Sequence, residues 1–151
     1  MPLEPTPAEI AAHGFLSPDD PVAISFWIIS ISMVAATVFF LMESMNVGAH
    51  WKTSMNCGAL VTLVAAVHYF YMREFWVQIH NSPILYRYID WSITVPLQMI
   101  EFYLILSAVN PNVSQGMFFR LLLGTVFMLA SGYAGESKML APAAGFAIGF
   151  F

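Results

Sequence analysis

The residues that could do chemistry are gathered in one string, Arg87-Tyr88-Ile89-Asp90-Trp91-Ser92-Ile93-Thr94-Val95-Pro96-Leu97-Gln98-Met99-Ile100-Glu101. On a helix turning about 100° per residue, with Asp90 at the origin, Glu101 falls at about 20°, Thr94 at about 40°, Arg87 at about 60° and Gln98 at about 80°. Two carboxyls, a hydroxyl, an amide and a guanidinium thus share less than about a quarter of the circumference. The remaining positions are mostly Ile, Leu, Val, Met and aromatic. Asp90 and Glu101 lie about 16 Å apart along the axis, roughly half the thickness of a bilayer's hydrocarbon core. A charged side chain at that depth costs about 2.5–3.5 kcal/mol and is tolerated where it faces a protein interior or an internal cavity. One reading is structural: Arg87 pairs with Asp90 near one interface and Glu101 sits near the other. The second is a proton path, because two carboxyls at two depths, with a hydroxyl and an amide between them, can hand a proton along.

A path needs stations of unequal proton affinity. A neighbouring positive charge favours an ionised carboxyl, and apolar surroundings favour a neutral one. Arg87 stands three residues from Asp90 on the same face, whereas Glu101 has Ile100, Phe102 and Ile105 around it in its own helix. The local expectation is Asp90 as proton acceptor and Glu101 as proton donor. Pro96, at about 240°, faces away from the stripe; it removes the hydrogen bond to the Ser92 carbonyl and should bend the helix.

Such a helix needs others around it, and the composition calls for a membrane protein. Of 151 residues, 59% are hydrophobic and only 9% are charged, against about 25% charged in a soluble domain. The formal charge of −4 argues against nucleic acid as a partner. The one cysteine, Cys57, excludes an intrachain disulfide framework, and no metal site is expected. Uncharged or nearly uncharged runs at Val22–Met42, Thr53–Met72, Tyr88–Val109 and Leu121–Ala134, the last extended back through Gly116–Phe119 and the boundary Arg120, are read as four spans. Met139–Phe151 is read as the opening of a fifth, and the chain, which stops inside that apolar run, as one piece of a longer protein. Lys52 and Lys138 are assigned to loops. The division expected is a tail over 1–21, placed outside by its four acids and absence of Lys or Arg, and a transmembrane domain over 22–151.

The string from Arg87 to Gln98, followed by Glu101-Phe102-Tyr103-Leu104, resembles the third helix of the proteorhodopsins, microbial rhodopsins that pump protons with light. The likeness continues through Phe26-Trp27, His68-Tyr69, Met72-Arg73 and Gly132-Tyr133-Ala134-Gly135-Glu136. It implies an all-α integral membrane fold, part of a seven-helix bundle around all-trans retinal held as a protonated Schiff base. The lysine that carries it belongs to the seventh helix, and so is expected outside this chain. By the same resemblance Asp90 is counterion and acceptor, Glu101 the cytoplasmic donor, and Arg87, His68 and Thr94 complete the counterion complex. Trp91 packs against the polyene, while Met128 and Gly132 line the chromophore pocket with Thr94. Gln98 marks the blue-absorbing type, where green-absorbing members carry leucine.

His68 on its own is as readily a satisfied polar group between helices as a functional one; the resemblance implies that it hydrogen-bonds Asp90 and meets Trp27 of a neighbouring protomer in a pentameric or hexameric ring. The function implied for the complete protein is a light-driven outward proton pump in the cell membrane of a prokaryote, with lipid, protons, further copies and the remaining helices as partners. It is a transporter and photoreceptor protein, not an enzyme. A photosensory rhodopsin is the alternative within the fold, and Glu101 weighs against it, since a sensor can dispense with a donor. A small haem-binding membrane anchor is the alternative from another class; of the four histidines only His68 lies within a span, which disfavours bis-histidine ligation inside this chain.

Overall fold

The computed structural model describes residues 19–79 and 83–150, and over these it is all helix and connecting turn. Its elements are α1 (Pro21–Asn46), α2 (Ala49–Ile79), α3 (Ile84–Val109), α4 (Gln115–Glu136) and the shorter α5 (Pro142–Phe150). Each packs on the next in chain order. The first four are long and apolar enough to cross a membrane, as the spans in the sequence require. Most of the 1–21 tail lies outside the described residues.

The helices outrun the apolar spans. α2 has 31 residues, about 46 Å at 1.5 Å per residue against a hydrocarbon core of about 30 Å. Its polar ends therefore stay helical beyond the apolar stretch. Lys52 consequently belongs to the first turn of α2 rather than to a loop, although it remains exposed. Lys138 does lie in the turn after α4, in the left-handed region with φ 63°.

Helix starts follow from local chemistry. Asp20 caps α1: its Oδ1 accepts the backbone N–H of Val22 at 2.9 Å and of Ala23 at 3.2 Å, and Pro21 occupies the first helical position, where no N–H is needed. The second oxygen, Oδ2, accepts the indole N–H of Trp76 at 2.8 Å, fastening the start of α1 to the end of α2. Pro142 opens α5 in the same way as Pro21 opens α1.

Lipid tails are as apolar as leucine, so membrane helices associate through close packing of small residues and through interhelical hydrogen bonds. On α1 the buried residues are Ala23, Ser30 and Thr37, spaced by seven. They meet α2, whose buried positions are also mostly small: Ser54, Cys57, Gly58, Ala59, Ala65 and Ala66, with Met72. The hydroxyls of Thr37 and Thr62 share a hydrogen bond of 2.8 Å across this seam. Between α4 and α5 the backbones themselves touch: a Cβ at Gly145 would stand 2.8 Å from Gly135 Cα and 2.8 Å from the Ser131 carbonyl oxygen.

Candidate functional site

The stripe sits on α3, which packs between α2 and α4. The buried residues of α3 are Asp90, 7% exposed, and Thr94, 5% exposed. A helix that turns its leucines and isoleucines outward and buries an acid and a hydroxyl is inverted relative to a soluble helix, as expected where the outside is lipid. Glu101 is half-buried on the same face, and Gln98 is exposed at the stripe's edge. The helix continues through Pro96, which lies near its middle.

The contacts of these groups differ from the expectation in two places, at Arg87 and at His68. The Thr94 hydroxyl donates to the backbone carbonyl of Asp90 at 3.0 Å, so it fixes the helix turn beneath the acid. Arg87 does not pair with Asp90; its guanidinium pairs with Glu136 at the end of α4, and lies 5.6 Å from the ring centre of Trp91, within cation–π range. Helix adjacency explains the choice: α4 brings a carboxylate to the N-terminal end of α3, where Arg87 can stay half in solvent. His68 forms no hydrogen bond with Asp90 among the described residues; its ring meets the edge of Tyr69, with centroids 5.5 Å apart. Asp90 Oδ1 is thereby left buried with no hydrogen-bond partner among the described residues. An unpaired buried acceptor costs about 1–3 kcal/mol, and such a group calls for a donor or a cation.

Trp91 packs edge-on against Tyr88 with centroids 5.1 Å apart, and Tyr88 against Tyr133 of α4 at 5.2 Å. Gly132 makes room for this: a side chain there would begin 3.0 Å from the Tyr88 hydroxyl. Met128 and Gly132 line one cavity of about 240 Å³ with Gly145, Phe146, Gly149 and Phe150, which joins the two α4 residues singled out in the sequence. Trp27, 42% exposed, stands on the outside of α1. No cluster of three or more His, Cys, Asp or Glu side chains suited to a metal occurs among the described residues.

The pairing of Glu136 with Arg87, and Gly58 altogether, escaped the sequence reading. Glu136 lies 49 residues from Arg87, and nothing local marks the pair. Gly58 faces the Glu101 carboxyl, where a Cβ would stand 3.3 Å from Oε1; the run Cys57-Gly58-Ala59 signals close helix packing but not against what.

Residues 20–151 match the family of bacteriorhodopsin-like proteins. The chain belongs to that family. Within it, the chain is 46% identical over 143 residues to the blue-light absorbing proteorhodopsin of Gamma-proteobacterium Hot 75m4, and 45% identical to the green-light absorbing proteorhodopsin of Gamma-proteobacterium EBAC31A08. Each match covers 95% of this chain and 57% of the relative, so the chain spans little more than half the length of these rhodopsins. Among solved structures it resembles the blue light-absorbing proteorhodopsin from Med12, with a TM-score of 0.76 and 43% identity over 87% of this chain and 62% of that one. It also resembles Exiguobacterium sibiricum rhodopsin, with a TM-score of 0.70 and 30% identity over 85% of this chain and 57% of that one.

Membership of this rhodopsin family brings retinal as chromophore, and the site fits it. A cationic chromophore needs a counterion whose charge is not already spent on a protein donor, and the orphaned Asp90 Oδ1 meets that need.

Proposed function

We propose that the complete protein containing this chain is a light-driven outward proton pump, and that the chain supplies its proton acceptor and donor. One observation carries the reading: Asp90 and Glu101 share one face of α3 at two depths, Asp90 buried with an unpartnered oxygen and Glu101 against a bare stretch of α2. The names of the relatives support it, as does the family.

All-trans retinal, joined as a protonated Schiff base to a lysine outside this chain, would supply a light-sensitive cation with an exchangeable proton. Asp90 holds the negative charge opposite it and accepts a proton on illumination. Thr94 keeps the Asp90 turn in place through its bond to the Asp90 carbonyl. Arg87, held to Glu136, sets the positive charge at the outer end of the stripe without neutralising Asp90 directly. Glu101 returns a proton from the inner side. With the N-terminus outside, α3 runs inward, and this order of acceptor and donor makes the flux outward. The protein then lies in the cell membrane of a prokaryote. Gln98 places it with the blue-absorbing type, and the exposed Trp27, together with His68, forms the contact between protomers of a ring.

The test is the pH change on illumination of vesicles holding the complete protein. Asp90→Asn abolishes it. Glu101→Gln slows chromophore recovery after a flash by about a hundredfold or more, the usual worth of a positioned acid. Recovery at the wild-type rate in Glu101→Gln removes the donor assignment and favours a sensor.

A further inference from the structure

The α2 wall against the Glu101 carboxyl is bare. At Gly58 a Cβ would lie 3.3 Å from Glu101 Oε1 and 3.5 Å from Cδ2 and Cε2 of the Phe40 ring on α1. Cys57, Gly58 and Ala59 are all buried, so the recess lies inside the α1–α2–α3 packing rather than at its margin. The next hydroxyl along α2, Thr62, is engaged with the Gly58 carbonyl at 2.9 Å, the Ala59 carbonyl at 3.1 Å and Thr37 at 2.8 Å. No hydrogen bond or ion pair reaches the Glu101 side chain among the described residues. Shape alone seats this acid.

We propose that Gly58 is the positioning residue for the Glu101 carboxyl: its missing side chain makes the recess in which the acid rests against α2, with no side-chain acceptor on that helix bonded to its proton. The inference rests on the donor role of Glu101 for its meaning, but its geometry stands apart from that role. A methyl at 58 meets Oε1 inside ordinary contact distance, and the carboxyl must shift by a few tenths of an ångström. A serine adds a hydroxyl that reaches Oε1 at about 2.7–3.0 Å, normal hydrogen-bonding distance. Where the serine oxygen accepts the O–H of the protonated acid, the bond holds the acid in its resting state and opposes release of its proton.

The experiment compares Gly58→Ala and Gly58→Ser with Gly124→Ala, whose new methyl meets nothing within 4 Å. The first readout is the infrared carbonyl band of the Glu101 acid, assigned by its loss in Glu101→Gln, recorded as a pH-difference spectrum of the complete protein in lipid bilayers. Gly58→Ser moves the band to lower wavenumber, Gly58→Ala moves it without that hydrogen-bonded signature, and Gly124→Ala leaves it in place. The second is chromophore recovery after a flash in the complete protein, where Gly58→Ser slows recovery about fivefold, the worth of about one neutral hydrogen bond. A Glu101 band that stays put in both Gly58 variants overturns the proposal. If instead the band moves while Glu101→Gln recovers at the wild-type rate, Gly58 positions the acid and the donor role is what fails.

Discussion

The crossing of α4 and α5 offers the sharpest energetic test of the packing. Substituting Gly145 by alanine places a methyl 2.8 Å from Gly135 Cα, 2.8 Å from the Ser131 carbonyl oxygen and 3.1 Å from the Gly135 nitrogen. Carbon atoms rest at about 3.5–4.0 Å, so the first contact is short by about 0.7 Å or more. All three obstacles are backbone atoms, which cannot swing aside as a side-chain tip can, so the helices must part. Overpacking of this kind costs about 1–3 kcal/mol. Alanine also gains about 0.8–1.0 kcal/mol over glycine in helix propensity. Gly124→Ala takes that gain with no clash, because nothing lies within 4 Å of its new methyl. The propensity gain cancels between the two variants, leaving Gly145→Ala about 1–3 kcal/mol less stable than Gly124→Ala. Reversible unfolding of both in mixed micelles, at matched detergent composition, measures the difference. Since Gly145 shares a cavity with Met128 and Gly132, a displaced α5 should also weaken chromophore retention in the complete protein. Equal stabilities for the two variants would refute the backbone-on-backbone crossing.

Four further outcomes follow from particular contacts. A double-mutant cycle on Thr37 and Thr62, each to alanine, should give a coupling of about 0.6 kcal/mol and not above about 1.7, the range for interhelical hydrogen bonds in membranes; a coupling of zero would mean the hydroxyls serve only their own helices. The cycle for Arg87 and Glu136, each to glutamine, should return less than about 1 kcal/mol, because side chains 30% and 37% exposed are screened by solvent. Asp20→Ala removes both the α1 cap and the Trp76 tether, and should lower stability by about 1–2 kcal/mol while shifting Trp76 fluorescence; an unchanged spectrum would sink the tether. Gln98→Leu should move the chromophore's absorption to longer wavelength, as between blue- and green-absorbing types, and an unmoved maximum would remove Gln98 from tuning.

The sequence by itself determined the environment, the number of long helices and the stripe. Charge at 9% and four long apolar runs leave a chain little choice but lipid, and helical periodicity alone put Asp90, Thr94 and Glu101 on one face. That face is the one the structure turns inward, with Asp90 and Thr94 buried and Glu101 half-buried. These facts are legible because burial cost and turn angle are local properties of each segment. Partners were another matter. Arg87 was expected to serve Asp90, three residues away, yet it binds Glu136, because a neighbouring helix brings a carboxylate nearer than its own can. Gly58 reads in the sequence only as a small residue; what it makes room for depends on how α2 and α3 are turned about their axes. The same holds for Met128, Gly132, Gly145 and Gly149, which close on one cavity only once α4 and α5 cross. Helix rotation and crossing are set by the summed fit of many side chains, so only the packed molecule could decide which groups meet.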